Sequence, residues 1–203
     1  MLHAFLYGII LAFGLIIPLG PQNLFVLAQG THEKNIRHAL PTIIAASLCD
    51  TLLILLACFG VSLIVLKVQV LKTALLSFGI VFLIIVGLHL WNKAKKASFD
   101  HKAHPHVSAK KQILFAMSVS LLNPHAILDT VTVIGVNALE YHGALLIAFT
   151  SACILVSWTW FFSLALFGKT LTKIPHIQFY QNRISALIMW GVAANLLYKL
   201  LLF

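Results

Sequence analysis

Residues 18–30 read PLGPQNLFVLAQG and interrupt a run that is otherwise apolar from Leu2 onward. Two prolines, two glycines and a Gln-Asn pair are poor material for the middle of a membrane helix. Pro21 lacks a backbone N–H and disfavours helix at Gly20, so carbonyls one turn upstream lose their partners. Lipid cannot satisfy those groups, and broken backbone at membrane depth is tolerated only against protein or a water-lined cavity. The stretch predicts a first span that is interrupted, with Gly20, Pro21, Gln22 and Asn23 at the interruption.

The membrane setting follows from composition. Of 203 residues, 61% are apolar and 9% charged, against roughly 25% charged in a soluble domain. Six apolar stretches are each long enough for a hydrocarbon core, which takes about 20 residues. They run from Leu2 to Gln29, Leu40 to Leu66, Val70 to Trp91, Ile113 to Leu139, Gly143 to Gly168 and Ile184 to Phe203. The first reads as a retained span rather than a secretory signal, because no Lys or Arg precedes it and its apolar region is too long. Cys49, Cys58 and Cys153 fall inside apolar stretches at spacings that match no metal or disulfide framework, so they read as small hydrophobes.

A net charge of +9 would suggest nucleic acid in a soluble protein, but its distribution points to topology instead. Loops one, three and five carry Lys34 and Arg37, then Lys93, Lys95, Lys96, Lys102, Lys110 and Lys111, then Lys169, Lys173 and Arg183. The other side has Lys67, Lys72 and Lys199. The positive-inside rule places the odd loops in the cytoplasm and both termini outside, in a multi-pass protein of the cytoplasmic membrane.

The longest polar segment, residues 92–112, divides the chain near its middle. The expected organisation is one polytopic all-α domain over 1–203: a first repeat over 1–91, a basic cytoplasmic loop over 92–112 and a second repeat over 113–203. Three spans per half is an odd number, so related halves would sit in opposite orientations, as inverted-topology repeats. The first span of each half carries a proline break, LGPQN at Leu19 to Asn23 and LLNPHA at Leu121 to Ala126. Helices 1 and 4 are therefore expected to be broken by Pro21 and Pro124. Paired breaks at corresponding positions are the best sequence pointer to a mid-membrane substrate site, which brings in Asn123, Pro124 and His125.

Of five acidic residues, Glu33, Asp100 and Glu140 fall in loops, whereas Asp50 and Asp129 lie inside spans. An acid near a bilayer centre costs about 2.5–3.5 kcal/mol on insertion scales, which makes each a functional candidate. The bland alternative bonds each carboxyl to Ser47, Thr51, Thr130 or Thr132 as a helix fastener. No Lys or Arg lies deep in a span to act as counter-ion; a cationic substrate or a proton would supply one. A pathway with two carboxylates and no basic residue favours cations, or zwitterions with an extra positive charge. Exposed N–H groups at the breaks would receive a substrate carboxylate. The two acids are not symmetry mates, since Asp129 follows Pro124 within one span and Asp50 lies one span beyond Pro21.

GPQN at Gly20 to Asn23, VLAQG at Val26 to Gly30, Asp50, and NPHAILDT at Asn123 to Thr130 together resemble the lysine exporter (LysE) family, in particular its basic-amino-acid branch. The resemblance extends over essentially the whole chain. It implies secondary, proton-motive-force-driven export of lysine or arginine by a homodimer without a cofactor. The substrate and translocation residues it implies are Gly20, Pro21, Gln22, Asn23, Asp50, Asn123, Pro124, His125 and Asp129. The central loop departs from the pattern in being rich in histidine.

Two other classes compete. A divalent-metal exporter would gather ions at His101, His104 and His106, but neighbouring lysines repel a dication and alternating histidines in such a loop are usually solvated. Export of another amino acid is the nearer alternative. An intramembrane aspartyl hydrolase would need Asp50 and Asp129 to share a proton, yet neither has the glycine-flanked context of such enzymes, and no phosphate loop or HExxH helix is present. In SWTWFF, Ser157 to Phe162, Trp158 and Trp160 could offer a cation–π surface; stacking on lipid or a neighbouring helix is the simpler reading. His89 reads as a core imidazole. Gly8 and Ala12, four apart, suit a close helix crossing.

Overall fold

The computed structural model describes residues 1–17, 20–32, 36–60, 69–97, 108–171 and 177–201, and every regular element among them is helical. In chain order these are α1 (Leu2–Ile16), α2 (Pro21–His32), a 3-10 turn (Ile36–His38), α3 (Leu40–Cys58), α4 (Gln69–Ala97) and α5 (Ala109–Leu121). Then come α6 (Pro124–Asp129), a π turn (Thr130–Gly135), α7 (Val136–Ala138), α8 (Ala144–Leu171) and α9 (Ile177–Leu201). His101, His104 and His106 lie outside the described residues.

Both prolines open a helix rather than notch one. Pro21 is the first residue of α2 and Pro124 the first of α6, the position where a missing N–H costs nothing because no intrahelical partner exists there. Gly20 and Asn123, just before them, are outside any helix, and their carbonyls accept the first bonds of the new helices, from the N–H of Leu24 and of Ile127. The chain turns by 80° between α1 and α2 and by 58° between α5 and the helix that ends at Ala138.

Among the described residues two helices, α3 and α8, are long and apolar enough to cross a membrane singly, and the count reaches four if each bent pair is one span. The protein is thus a multi-span all-α membrane bundle with two broken segments. α4 and α9 are long as well, and α4 carries an apolar stretch over Leu76–Asn92 among its described residues. Their helices also run past the apolar stretches, because hydrogen bonding continues where hydropathy stops.

Helix α8 is the central post. It packs against α1, α2 and α3, while α3 packs in turn on α5 and the π turn, and α4 pairs with α9. One apolar cluster joins α1, α3, the π turn and α8 through Ala12, Ile54, Ile134, Phe149 and Val156. A second joins α2, α3 and α8 through Val26, Ile43, Phe161 and Leu164. The third, with Leu83, Val86, Met189 and Leu196, fastens α4 to α9. Glycine is needed where helices cross closely. A Cβ on Gly8 would stand 2.8 Å from the Phe149 carbonyl, and one on Gly30 would run into the Ala165 carbonyl. The three cysteines are buried and free, whereas His89 is exposed on α4. The imidazole lies on the outer side because α4 turns its other face, with Leu83, Val86 and Leu90, to α9.

Candidate functional site

The two breaks face one cavity of about 470 Å³, within the roughly 300–1,000 Å³ usual for small-molecule sites. Its polar lining comes from Gly20, Gln22 and Asn23 at the first break, Asn123 at the second, Asp50 of α3, Asp129 and Thr130 after the second break, and Ser157 of α8. Ala12, Ile54, Ile134, Val156 and Phe161 supply much of the apolar wall. α9 adds Val192, and none of the described side chains of α4 lines it. Among the described residues no Lys, Arg or His faces the cavity, so its charge comes from two carboxyl groups in low-dielectric surroundings, where a cation is favoured.

Asp50 is held from two directions by neutral donors. Gln22 Nε2 donates to one carboxylate oxygen at 3.0 Å, and Ser157 Oγ donates to the other at 2.9 Å. The Gln22 amide also reaches the Ala46 carbonyl at 3.5 Å. These partners belong to α2 and α8, so the carboxylate joins three helices. The hydroxyls adjacent in sequence do something else: Thr51 bonds the Ser47 carbonyl and Thr132 the Leu128 carbonyl, each within its own helix.

Asn23 spends its amide on the break. Nδ2 donates to the Ile16 carbonyl at 2.8 Å, which is the last residue of α1 and one of the terminal carbonyls that a helix leaves without a partner. Oδ1 accepts from Trp160 Nε1 at 3.3 Å. Trp158 Nε1 donates to Thr51 Oγ1 at 3.1 Å. Neither Trp lines the cavity; their indoles fasten the helices that do, and Trp160 meets Phe13 edge to face.

Asp129 reaches the same cavity by a different route. It ends α6, and the next six residues form the π turn. A π turn closes i to i+5 bonds and occurs as single-turn insertions, frequently at functional sites. Thr130 and Ile134 of that turn line the cavity. Beyond it, Asn137 donates to the Val133 carbonyl and accepts from Tyr7 of α1 at 2.8 Å, so the two broken segments are bonded to each other.

Of the nine residues singled out by sequence, Gly20, Pro21, Gln22, Asn23, Asp50, Asn123 and Asp129 lie around this one cavity. Pro124 and His125 open α6, and their side chains lie outside the described residues. Sequence reasoning passed over Ser157. The signal was there, as a stripe of small or polar residues, Thr150, Cys153 and Ser157, at helical spacing on an otherwise greasy helix. Among the described residues, no three of His, Cys, Asp and Glu come together as a metal site.

With this geometry in place, residues 13–200 match the family described as LysE type translocator. The chain is 47% identical to YisU of Bacillus subtilis (strain 168), provisionally named an amino-acid transporter, over 95% of this chain and 88% of that one. It is 32% identical to the arginine exporter protein ArgO of Pectobacterium carotovorum subsp. carotovorum (strain PC1), over 97% of both chains. The ArgO of Serratia proteamaculans (strain 568) is 31% identical over 98% of both. No solved structure matches.

Proposed function

Because the chain belongs to the LysE-type translocator family, we propose that it exports basic amino acids, lysine or arginine, from the cytoplasm across the cell membrane in exchange for protons. Family membership makes it a membrane transporter rather than an enzyme. The observation that carries the substrate class is the charge of the cavity: Asp50 and Asp129 on one wall system, with no basic side chain facing it among the described residues. A zwitterion with a cationic side chain complements that site. The side chain meets the carboxylates, and the substrate carboxylate meets N–H groups at the start of α2, which opens on the cavity at Gly20 and Pro21. The similarity to two proteins named arginine exporters points the same way.

In this reading Gly20, Pro21, Asn123 and Pro124 make the breaks, and Gln22, Asn23 and His125 serve the polar end of the substrate. Asp50 and Asp129 alternate between a proton and the cationic group, so that each occupant favours one state of the transporter. Six spans in two inverted repeats form the frame, with both termini outside. The pairing of helices supports that frame. Exchanging the halves turns the packing of α1 and α2 on α8 into that of α5 and the π turn on α3, and leaves the α3–α8 and α4–α9 pairs unchanged. Similar residues recur at intervals of 103, 105 and 107 positions: Pro21 with Pro124, Gly30 with Gly135, and Asp50 with Ser157, the last pair bonded to each other. Gly30 lies on the Ala165 carbonyl and Gly135 on that of Ala57, the same crossing seen once in each half. The assembly we propose is a homodimer, as the resemblance implies.

Efflux of labelled arginine and lysine from preloaded cells lacking their own exporter tests the substrate. Loss of label only when the protein is produced, abolished by a protonophore, is expected. Retention of both, with efflux of a neutral amino acid or a divalent metal instead, would contradict it.

A further inference from the structure

We propose that Ser157 is a positioning residue that fixes the Asp50 carboxylate across the α3–α8 contact. The inference rests on the reading above that Asp50 receives the cationic group of the substrate. Ser157 is 2% exposed, lines the cavity and donates to Asp50 Oδ2, while Gln22 donates to Oδ1. A carboxylate with one donor can swing about that bond; a second donor on the other oxygen sets its plane. The remaining lone pairs then point in a fixed direction, which is what pre-organised recognition of a cation needs. One residue further along each helix, Trp158 bonds Thr51, so the α3–α8 register is set by two hydrogen bonds side by side.

The position also has a logic in the repeat. In the proposed repeat Asp50 and Ser157 stand at closely corresponding places in the two halves, and they meet each other. A carboxylate in both places would set two like charges face to face inside the bundle, so that only one of them could readily ionise. Serine in the second half converts that repulsion into a donor. The first half supplies the charge and the second half orients it.

The test uses the full-length protein with Ser157→Ala, the conservative Ser157→Thr and, as control, Ser163→Ala, whose hydroxyl is exposed and bonds the Thr159 carbonyl of its own helix. Carbodiimide labelling of Asp50 and Asp129 in purified protein is read residue by residue by mass spectrometry, beside efflux kinetics. In Ser157→Ala, Asp50 is expected to label roughly fivefold faster, Asp129 at the wild-type rate, and the half-saturating arginine concentration to rise roughly tenfold with the maximal rate within about twofold. Ser157→Thr is expected to restore Asp50 labelling, and Ser163→Ala to match wild type. Equal Asp50 labelling in wild type and Ser157→Ala, including none in either, would overturn the proposal. So would parallel changes at both aspartates, which would mark a general loosening. If the wild-type protein moves neither arginine nor lysine while the Asp50-specific change persists, the substrate assignment fails and the positioning role stands.

Discussion

The two breaks in the bundle look alike in sequence and are built differently. At the first, the bend is 80° and its polar groups are tied down: Asn23 caps α1 and is itself held by Trp160. The acid it presents comes from another helix, Asp50 of α3, through Gln22. At the second, the bend is 58°, the acid is Asp129 of the same segment, and a π turn follows at once. The Asp50 carboxylate is therefore held by bonds from two other helices, while Asp129 stands on the broken segment itself, where α6 gives way to the π turn. A shared proline signature fixes where the chain turns, while the neighbours of each turn decide what is presented to the cavity.

Glycine at the crossing tests the anchoring most severely. Gly30→Ala drives a methyl into the Ala165 carbonyl, whereas a Cβ on Gly135 would stand 3.2 Å from that of Ala57. Overpacking of this kind costs about 1–3 kcal/mol and sometimes more, so thermal unfolding in detergent should show a large loss for Gly30→Ala and about a third of it for Gly135→Ala. Equal losses would erase the contrast. Next, Asn23→Ala leaves the Ile16 carbonyl and the Trp160 N–H without this partner, worth about 2 kcal/mol of stability, and efflux should fall with it. The smallest change sits between the breaks. Tyr7→Phe removes the bond to Asn137 at about 1 kcal/mol and should leave export within about threefold; a collapse of transport would instead make that link essential to the π turn.

Much of this was readable in advance. The breaks, the two half-buried acids and their common cavity follow from the rarity of proline, amide and carboxylate in apolar runs, where each such residue needs a reason. The partners of Asp50 did not. Thr51 and Thr130 neighbour Asp50 and Asp129 in sequence, but adjacent residues on a helix point about 100° apart, and Thr51 turns to its own helix while Gln22 and Ser157 arrive from elsewhere. Serine in a helix reads as neutral because it can satisfy itself on the preceding turn; its role appears only when the α3–α8 crossing is known. The π turn escaped for a different reason. Over the six residues TVTVIG, apolar periodicity cannot separate an α turn from one wider by a residue.

If Asp50 and Asp129 serve one pathway for a cationic amino acid, each is needed for export on its own. The direct measurement is efflux of labelled arginine and lysine from preloaded cells making the intact protein, Asp50→Asn or Asp129→Asn, with membrane insertion of each verified. Export by the intact protein is expected, and its collapse by about a hundredfold or more, as for loss of a charge partner inside the bundle, in each variant separately. Export that survives either substitution at normal insertion would contradict it and make that aspartate a helix fastener.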